Sequence, residues 1–350
     1  MALSRGIALW YRRVGIPAGL LSSLVIGAGF FSLPYIVSVS GILPSLVYLV
    51  GLTYLVLRVH LMYAEVIRAT PGEHRFVGFA GIYLGRSGFA LATLSAAAGL
   101  VLGLTIYLVL SAGFVRLIVP SWSSSEALLF FWLVGTLPLF ASLRRLATLE
   151  FLVTAGIVLI VALLAAARLL TPLSGVVPPL FSSDLALLIL PFGPILFSLS
   201  GRAAISSLVA YERRDRADER SIRSAITFGS LVPAFVYAVF VFAVLGLSGG
   251  GVSKEAISGL LGLSPAFSTL LGLLGLFSLW TSYAVLGLEL ESILALDFKL
   301  NRLAATSLIA LAPLLLYAAG FSDFILLVSL AGGIFLALEN TLVVHMWERV

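Results

Sequence analysis

The chain has 350 residues, 61% of them hydrophobic and only 11% charged, with a mean hydropathy of +1.15 and a formal net charge of +5. A soluble domain carries about 25% charged residues, so the composition excludes a soluble protein and reads as a polytopic membrane protein with the lipid bilayer as its surroundings; the absence of cysteine excludes disulfides and thiolate metal sites. The basic excess does not point to nucleic acid, because the arginines are scattered through short loops between apolar runs, where they act as topology signals.

A hydrocarbon core of about 30 Å needs about 20 apolar residues per helix. That rule predicts an all-α chain of ten spans, at 15–38, 42–67, 87–116, 127–143, 150–169, 184–210, 223–247, 265–294, 303–319 and 323–346. The charges at 1–13 precede a run too long for a signal-peptide core of about 7–15 residues, which reads as a retained first helix. Inside that span, Ile26-Gly27-Ala28-Gly29-Phe30-Phe31-Ser32-Leu33-Pro34 places two glycines and a proline. Gly costs about 0.8–1 kcal/mol and Pro about 3 kcal/mol in a helix interior, and a backbone group freed in lipid must find a partner inside the protein. The interruption therefore marks either a packing seam or a site.

Between spans two and three, Phe76, Phe79, Ile82 and Tyr83 are spaced for an apolar face that is expected to lie along the inner interface. Span six reads Leu190-Pro191-Phe192-Gly193-Pro194-Ile195-Leu196-Phe197-Ser198-Leu199-Ser200-Gly201-Arg202, a second interruption at mid-depth. The charged segment Tyr211 to Arg223 is expected as a solvated loop, and 252–261 as a short helix with Ser253 as N-cap. With the N-terminus inside, only Arg116, Arg168 and Lys254 of the 21 Lys and Arg fall outside and Arg202 within a span. This positive-inside bias places both termini in the cytoplasm, in the cell (inner) membrane.

Spans one and six occupy equivalent positions if ten helices divide into two halves of five, 15–169 and 184–346, within one transmembrane domain over 1–350. Halves with an odd number of spans start from opposite sides, which gives an inverted repeat with helices 1 and 6 broken at mid-membrane. Such paired breaks mark a transporter's binding site. Half-helix N-termini suit a carboxylate, while half-helix C-termini and unwound carbonyls suit an amine or small cation. Small residues kept only for close helix packing would explain one break easily and two equivalent ones poorly.

In span eight, Ser278, Thr281 and Ser282 share one helix face. Facing the carbonyls of Ser23 and Ile26, they would make an oxygen cage suited to Na+; alternatively, the hydroxyls bond the preceding turn of their own helix. Glu65, Arg202, Glu289 and Glu339 lie within or at the inner ends of spans, where charges cost about 2.5–3.5 kcal/mol and usually pair inside the bundle. Arg202 is expected to pair with Glu65 or Glu289, as an inner gate or as a static pair, and Glu289 shares the face of Ser282, where it could attract a leaving cation. His60, His74 and His345 are read as interfacial anchors. No His cluster, metal pattern or serine with a base partner is evident, so no cofactor, no metal beyond Na+ and no enzyme activity is expected.

Gly27-Ala28-Gly29-Phe30-Phe31-Ser32-Leu33-Pro34-Tyr35, Pro194-Ile195-Leu196-Phe197-Ser198-Leu199-Ser200-Gly201 and Trp280-Thr281-Ser282-Tyr283-Ala284-Val285-Leu286-Gly287-Leu288 together resemble the amino acid/auxin permease family. That family belongs to the amino acid-polyamine-organocation superfamily, with the leucine-transporter fold; its members commonly carry an eleventh helix, whereas the apolar runs here stop after ten. The resemblance implies a substrate carboxylate on the amides around Ala28 and Gly29 and an amine on the carbonyls of Phe197, Ser198 and Ser200. It also implies Phe197 as an aromatic gate and Tyr107 facing the site, although a tyrosine that packs and caps a carbonyl is an equal alternative. Related folds hold sodium in a cage of this kind, and proton-coupled relatives can place a span-five lysine there. Span five has no lysine, which favours Na+, although a carboxylate could still carry H+. The implied function is a secondary active transporter of small neutral or apolar amino acids, aromatic ones included, coupled to Na+ or H+. The alternatives are an amino acid sensor of the same fold and a transporter of another small solute.

Overall fold

The first apolar run folds as two half-helices. In the computed structural model, which describes residues 9–72, 74–140, 146–170, 175–215, 218–257, 260, 265–296 and 298–350, a π turn at Tyr11–Gly15 leads into α1 (Ile16–Val25). The chain leaves the helix at Ile26 and is extended at Gly27 (φ −108°, ψ −153°). A 3-10 turn at Ala28–Ser32 then leads into α2 (Leu33–Ser40), and the two halves are bent by 51°. The break is narrower than the glycine and proline positions imply. Pro34 occupies the first turn of α2, where its missing N–H costs nothing, and the Ser32 hydroxyl donates to the Gly29 carbonyl at 2.6 Å.

The second interrupted run behaves alike. After α3 (Ile42–Ala69), α4 (Phe76–Ile118), α5 (Ser124–Phe140) and α6 (Leu146–Leu170) come a short α7 (Leu185–Ile189) and α8 (Phe192–Leu199). Pro191 and Pro194 sit at the start of α8, so the mid-span break is at Ser200–Gly201 alone. The chain continues as α9 (Arg202–Asp215), α10 (Glu219–Leu247), α11 (Pro265–Leu296), α12 (Arg302–Ala318) and α13 (Phe324–Leu330). A π turn at Ala331–Leu336 joins α13 to α14 (Ala337–Trp347).

Among the described residues seven helices are long and apolar enough to cross a membrane, or eight if the bent first pair is one span. Ser124–Leu137 and Arg302–Ala318, at the fourth and ninth expected spans, are shorter apolar helices. The 17 residues of α12 reach about 26 Å, just under a hydrocarbon core of about 30 Å.

The stretch after Arg75 is a helical leg of its own, set off from the rest of α4 by a kink at Gly85 (φ 70°), with Phe76 and Phe79 buried against Tyr63 and Ile82 exposed. Two loop expectations change. Most of the charged segment from Tyr211 is helical, and it is packed: Tyr211 donates to the Arg12 carbonyl at 3.1 Å and Arg213 to the Ile67 carbonyl at 3.2 Å. Residues 252–257 are turns and bends, not a helix, and Ala256 has φ 64°. Lys254 there pairs with Asp323, which caps α13 through the Leu326 N–H; that hydrogen bond raises the Lys254 pKa above its ordinary value. Arg144 and Arg145 lie outside the described residues.

α4 runs along α11 and α5, α1 packs chiefly on α10, α9 and α6, and α8 packs on the Ala331–Leu336 turn. The last contact is backbone on backbone: a Cβ on Gly332 would lie 1.8 Å from the Gly193 carbonyl oxygen, and one on Gly193 would lie 2.5 Å from the Ser329 carbonyl oxygen. Small residues of this kind let membrane helices approach closely. Gly332→Ala is therefore expected to destabilise the fold by about 1–3 kcal/mol, the usual cost of overpacking, read as a lower midpoint of thermal unfolding in detergent; an unchanged midpoint would contradict this packing.

Candidate functional site

The two breaks lie against each other. A Cβ on Gly29 would be 2.7 Å from both Phe197 Cδ1 and Ser198 Oγ, and one on Gly27 would be 2.8 Å from Tyr107 Oη. Glycine at these two positions therefore lets the first break approach the second and leaves room for the phenol from α4. On the α2 side, the first N–H groups of the turn, Ala28 and Gly29 among them, have no acceptor within the helix and stand at the positive end of its dipole. On the α8 side the chain ends in carbonyls: Phe197 O accepts from Ser200 N at 3.3 Å, and the Ser198 hydroxyl is turned back onto the Pro194 carbonyl at 2.7 Å.

A residue that the sequence did not single out ties the two ends together. The hydroxyl of Tyr237, on α10, lies 2.8 Å from the Val25 carbonyl oxygen and 2.7 Å from the Ser198 carbonyl oxygen. It is fully buried and shares its single proton between the last turns of α1 and α8. The ring stacks on Phe30, which belongs with Phe31, Phe114 and Phe240 to an aromatic group that fills the space beyond the first break.

A cavity of about 120 Å³ opens between the breaks, and Ala28, Gly29, Tyr107, Phe197, Ser198 and Ser200 all line it. Its other walls come from α4 (Gly99, Leu100, Gly103), α11 (Val285, Leu286, Glu289) and the last span (Ala331, Leu336, Glu339). It shares Leu24, Arg202, Ala203, Val285 and Glu289 with a second cavity of about 240 Å³, which in turn shares Arg75, Ser206 and Ser207 with one of about 760 Å³ near His74 and Arg213. A chain of cavities thus leads from the breaks to the ends of α3 and α9, beside Arg75 and Arg213.

Arg202 stands where the first two cavities join. Its Nε and one terminal nitrogen both reach Glu339 Oε2, at 2.9 and 2.8 Å, and Glu289 Oε1 is 3.8 Å away. Its guanidinium carbon lies 4.0 Å from the centre of the Phe76 ring, a cation–π contact. Glu65, the other expected partner, is engaged elsewhere: it binds Arg223 at 2.7 Å and the Trp347 indole N–H at 2.6 Å. Glu65 lies two residues beyond Tyr63 on α3 with its side chain 36% exposed, so pairing there costs far less desolvation than at the buried Arg202. The expectation for His60 also fails. It is buried, 3.1 Å from Ser230 Oγ and packed against the second break at Gly201.

Ser278, Thr281 and Ser282 are buried on α11 as their spacing requires. The Thr281 hydroxyl donates to the Ser278 carbonyl of its own helix at 3.1 Å, while the Ser23 carbonyl accepts from Thr154 of α6 at 3.5 Å. α11 makes its main contacts with α4, α5, α6 and α12, so these hydroxyls and the Ser23 and Ile26 carbonyls share no cavity described above. Of the residues that sequence reasoning missed, Gly99 and Gly103 carried a signal in their four-residue spacing, which reads as helix packing. Tyr237 carried none.

The comparisons with known proteins agree on the architecture. The model of the tryptophan/tyrosine permease family matches residues 16–344. No curated protein matches the chain. Among solved structures, MhsT in complex with L-phenylalanine superposes with a TM-score of 0.70 at 16% identity, covering 93% of this chain and 87% of that one. Mhp1, a nucleobase-cation-symport-1 family transporter, matches in an inward-facing conformation (TM-score 0.65, 14% identity, 93% and 75% covered). It also matches in a closed conformation with bromovinylhydantoin bound (0.62, 14%, 91% and 76%). At such identity the likeness carries the fold, that of the leucine-transporter class. The motifs pointed to amino acid/auxin permeases; the resemblance holds at the coarser level of a permease with this fold.

Tyr237→Phe tests the joint between the breaks. It removes the shared proton and leaves two buried carbonyls without it, which costs about 1–3 kcal/mol. The expected result is a lower unfolding midpoint together with weaker ligand binding; wild-type values of both would show that the joint does not need the hydroxyl.

Proposed function

The chain belongs to the tryptophan/tyrosine permease family, and from that premise we propose that it is a secondary active transporter that carries aromatic amino acids across the membrane by alternating access. The observation that carries this reading is the cavity between the breaks, where unpaired N–H groups, carbonyl ends and an apolar wall meet in one space. An amino acid needs those three things. Its carboxylate would take the N–H groups of Ala28 and Gly29, its ammonium the carbonyls of Phe197, Ser198 and Ser200, and its side chain the wall from Gly99 to Leu336. Phe197 and Tyr107 would close over it. Each helix terminus is worth about 0.3–2 kcal/mol, so affinity comes from several converging on one zwitterion.

We read the coupling ion as Na+, held by the Ser23 and Ile26 carbonyls and by Ser278, Thr281 and Ser282. The donors are all oxygen, as a hard cation requires, and a hydroxyl that donates to its own helix keeps lone pairs for a ligand. A second reading, H+ coupling, is favoured by Arg202: two carboxylates face one guanidinium, so the buried group carries a surplus negative charge that a proton would neutralise. Either cation entering with substrate would add about 2.3 kcal/mol per 100 mV of membrane potential. The arginine-rich face is the cytoplasmic one in this reading, with both termini on it, and spans 1–5 and 6–10 form an inverted repeat.

Uptake of radiolabelled tryptophan, tyrosine and phenylalanine into proteoliposomes under imposed Na+ or H+ gradients tests the proposal. Accumulation driven by Na+, and lost in Thr281→Val without loss of folding, is the expected result. Accumulation driven by H+ alone would overturn the sodium site and leave the Arg202 group as the coupling element. Binding without accumulation under either gradient would make the protein a sensor.

A further inference from the structure

The side-chain wall of the cavity holds a feature that an amino acid backbone does not use. Glu339 is 3% exposed. Both hydrogen bonds from Arg202 fall on one of its oxygens, Oε2, at 2.8 and 2.9 Å. Its other oxygen, Oε1, lies 3.9 Å from where a Cβ on Gly99 would be. Gly99 and Gly103 stand one turn apart on α4 and both line the cavity; a Cβ on Gly99 would also meet Phe335 Cβ at 3.4 Å and one on Gly103 would meet Leu286 Cδ1 at 3.0 Å, so side chains there would crowd the space beside the carboxylate. Ser95, one turn earlier, donates to the Phe335 carbonyl at 3.0 Å and lies within hydrogen-bond reach of the same carboxylate. The rest of this wall, Leu100, Leu286, Ala331 and Leu336, is apolar. An acceptor oxygen set in an apolar wall, held by an arginine through its twin and approached across a glycine, suits a flat apolar group with one polar hydrogen at its rim.

We propose that Glu339 Oε1 accepts the ring N–H or O–H of the substrate, so that the site selects indole and phenol side chains over an unsubstituted phenyl ring. Gly99 opens the approach, and Arg202 is a positioning residue that fixes which carboxylate oxygen faces the ring. The inference rests on the reading of the cavity as an aromatic amino acid site. The α-ammonium is not the group Glu339 takes, because the carbonyl ends of α1 and α8 already supply acceptors for it at the breaks. A carboxylate acceptor discriminates well, since hydrogen bonds to charged groups are roughly twice as strong as neutral ones.

The test is competition against radiolabelled tryptophan on the purified full-length protein. The competitors are tryptophan, its benzothienyl isostere in which sulfur replaces the ring N–H, tyrosine and phenylalanine. In the wild type, replacing N–H by sulfur is expected to weaken binding by about tenfold or more, and tyrosine is expected to outcompete phenylalanine. In Glu339→Gln, an amide that turns its oxygen to Arg202 presents its NH2 to the ring, so tryptophan and tyrosine lose affinity while the isostere and phenylalanine keep theirs within about threefold. Gly99→Ala, which leaves all charges in place, should narrow the same preference if the glutamine variant does not fold. Equal affinity of tryptophan and its isostere in the wild type would overturn the inference and leave the transport reading standing. So would an equal loss of all four competitors in Glu339→Gln, which would place Glu339 against what every amino acid shares or in the fold. Failure of all four to bind would overturn both.

Discussion

In lipid a backbone group that leaves its helix has no water to turn to, and the structure is arranged around that constraint. Two helices stop at mid-span, and the carbonyls at their ends need partners. Tyr237 supplies one proton to both ends, reaching Val25 and Ser198 from α10. Gly27 and Gly29 let the ends come close enough to share it. The N–H groups on the outer side of the first break are left for something else, and the cavity lies in front of them. The cavity is lined by the unsatisfied remainder of two interrupted hydrogen-bond ladders.

The same economy governs the charges. Arg202 is the first residue after the second break, buried under Phe76 and bonded to Glu339, with Glu289 beside it. A charge in a span survives only when paired, and this group brings together α9, α11, α14 and the first leg of α4. Those elements come from different parts of the chain and meet at the junction between the central cavity and the one below it. Any movement that opens or closes the junction must rearrange the contacts of Arg202.

What could be read in the sequence follows from which terms are local. Gly and Pro inside apolar runs are costly wherever they occur, so both breaks were visible, and Ala28, Gly29, Tyr107, Phe197, Ser198 and Ser200 do come to one cavity. The prolines misplaced the breaks slightly, because a proline in the first turn of a half-helix costs nothing and marks the start of the next segment. Partner choice was not legible. Glu65 and Glu339 look alike in sequence, yet one binds Arg223 and Trp347 at the rim while the other holds Arg202 in the interior. His60 looked interfacial by count along its helix and is buried against Gly201, because the unwound chain passes there. Such contacts depend on how the apolar segments dock, and hydropathy is silent on that.

On the transport reading the two breaks form one site for an amino acid. Determining the structure of the purified protein with tryptophan bound, by cryo-electron microscopy or crystallography, tests it most directly. Ligand density is expected between Gly27–Gly29 and Phe197–Gly201, with the carboxylate on the Ala28 and Gly29 amides and the ring toward Gly99 and Glu339. Tryptophan bound elsewhere, with the breaks packed against each other and no ligand between them, would contradict it.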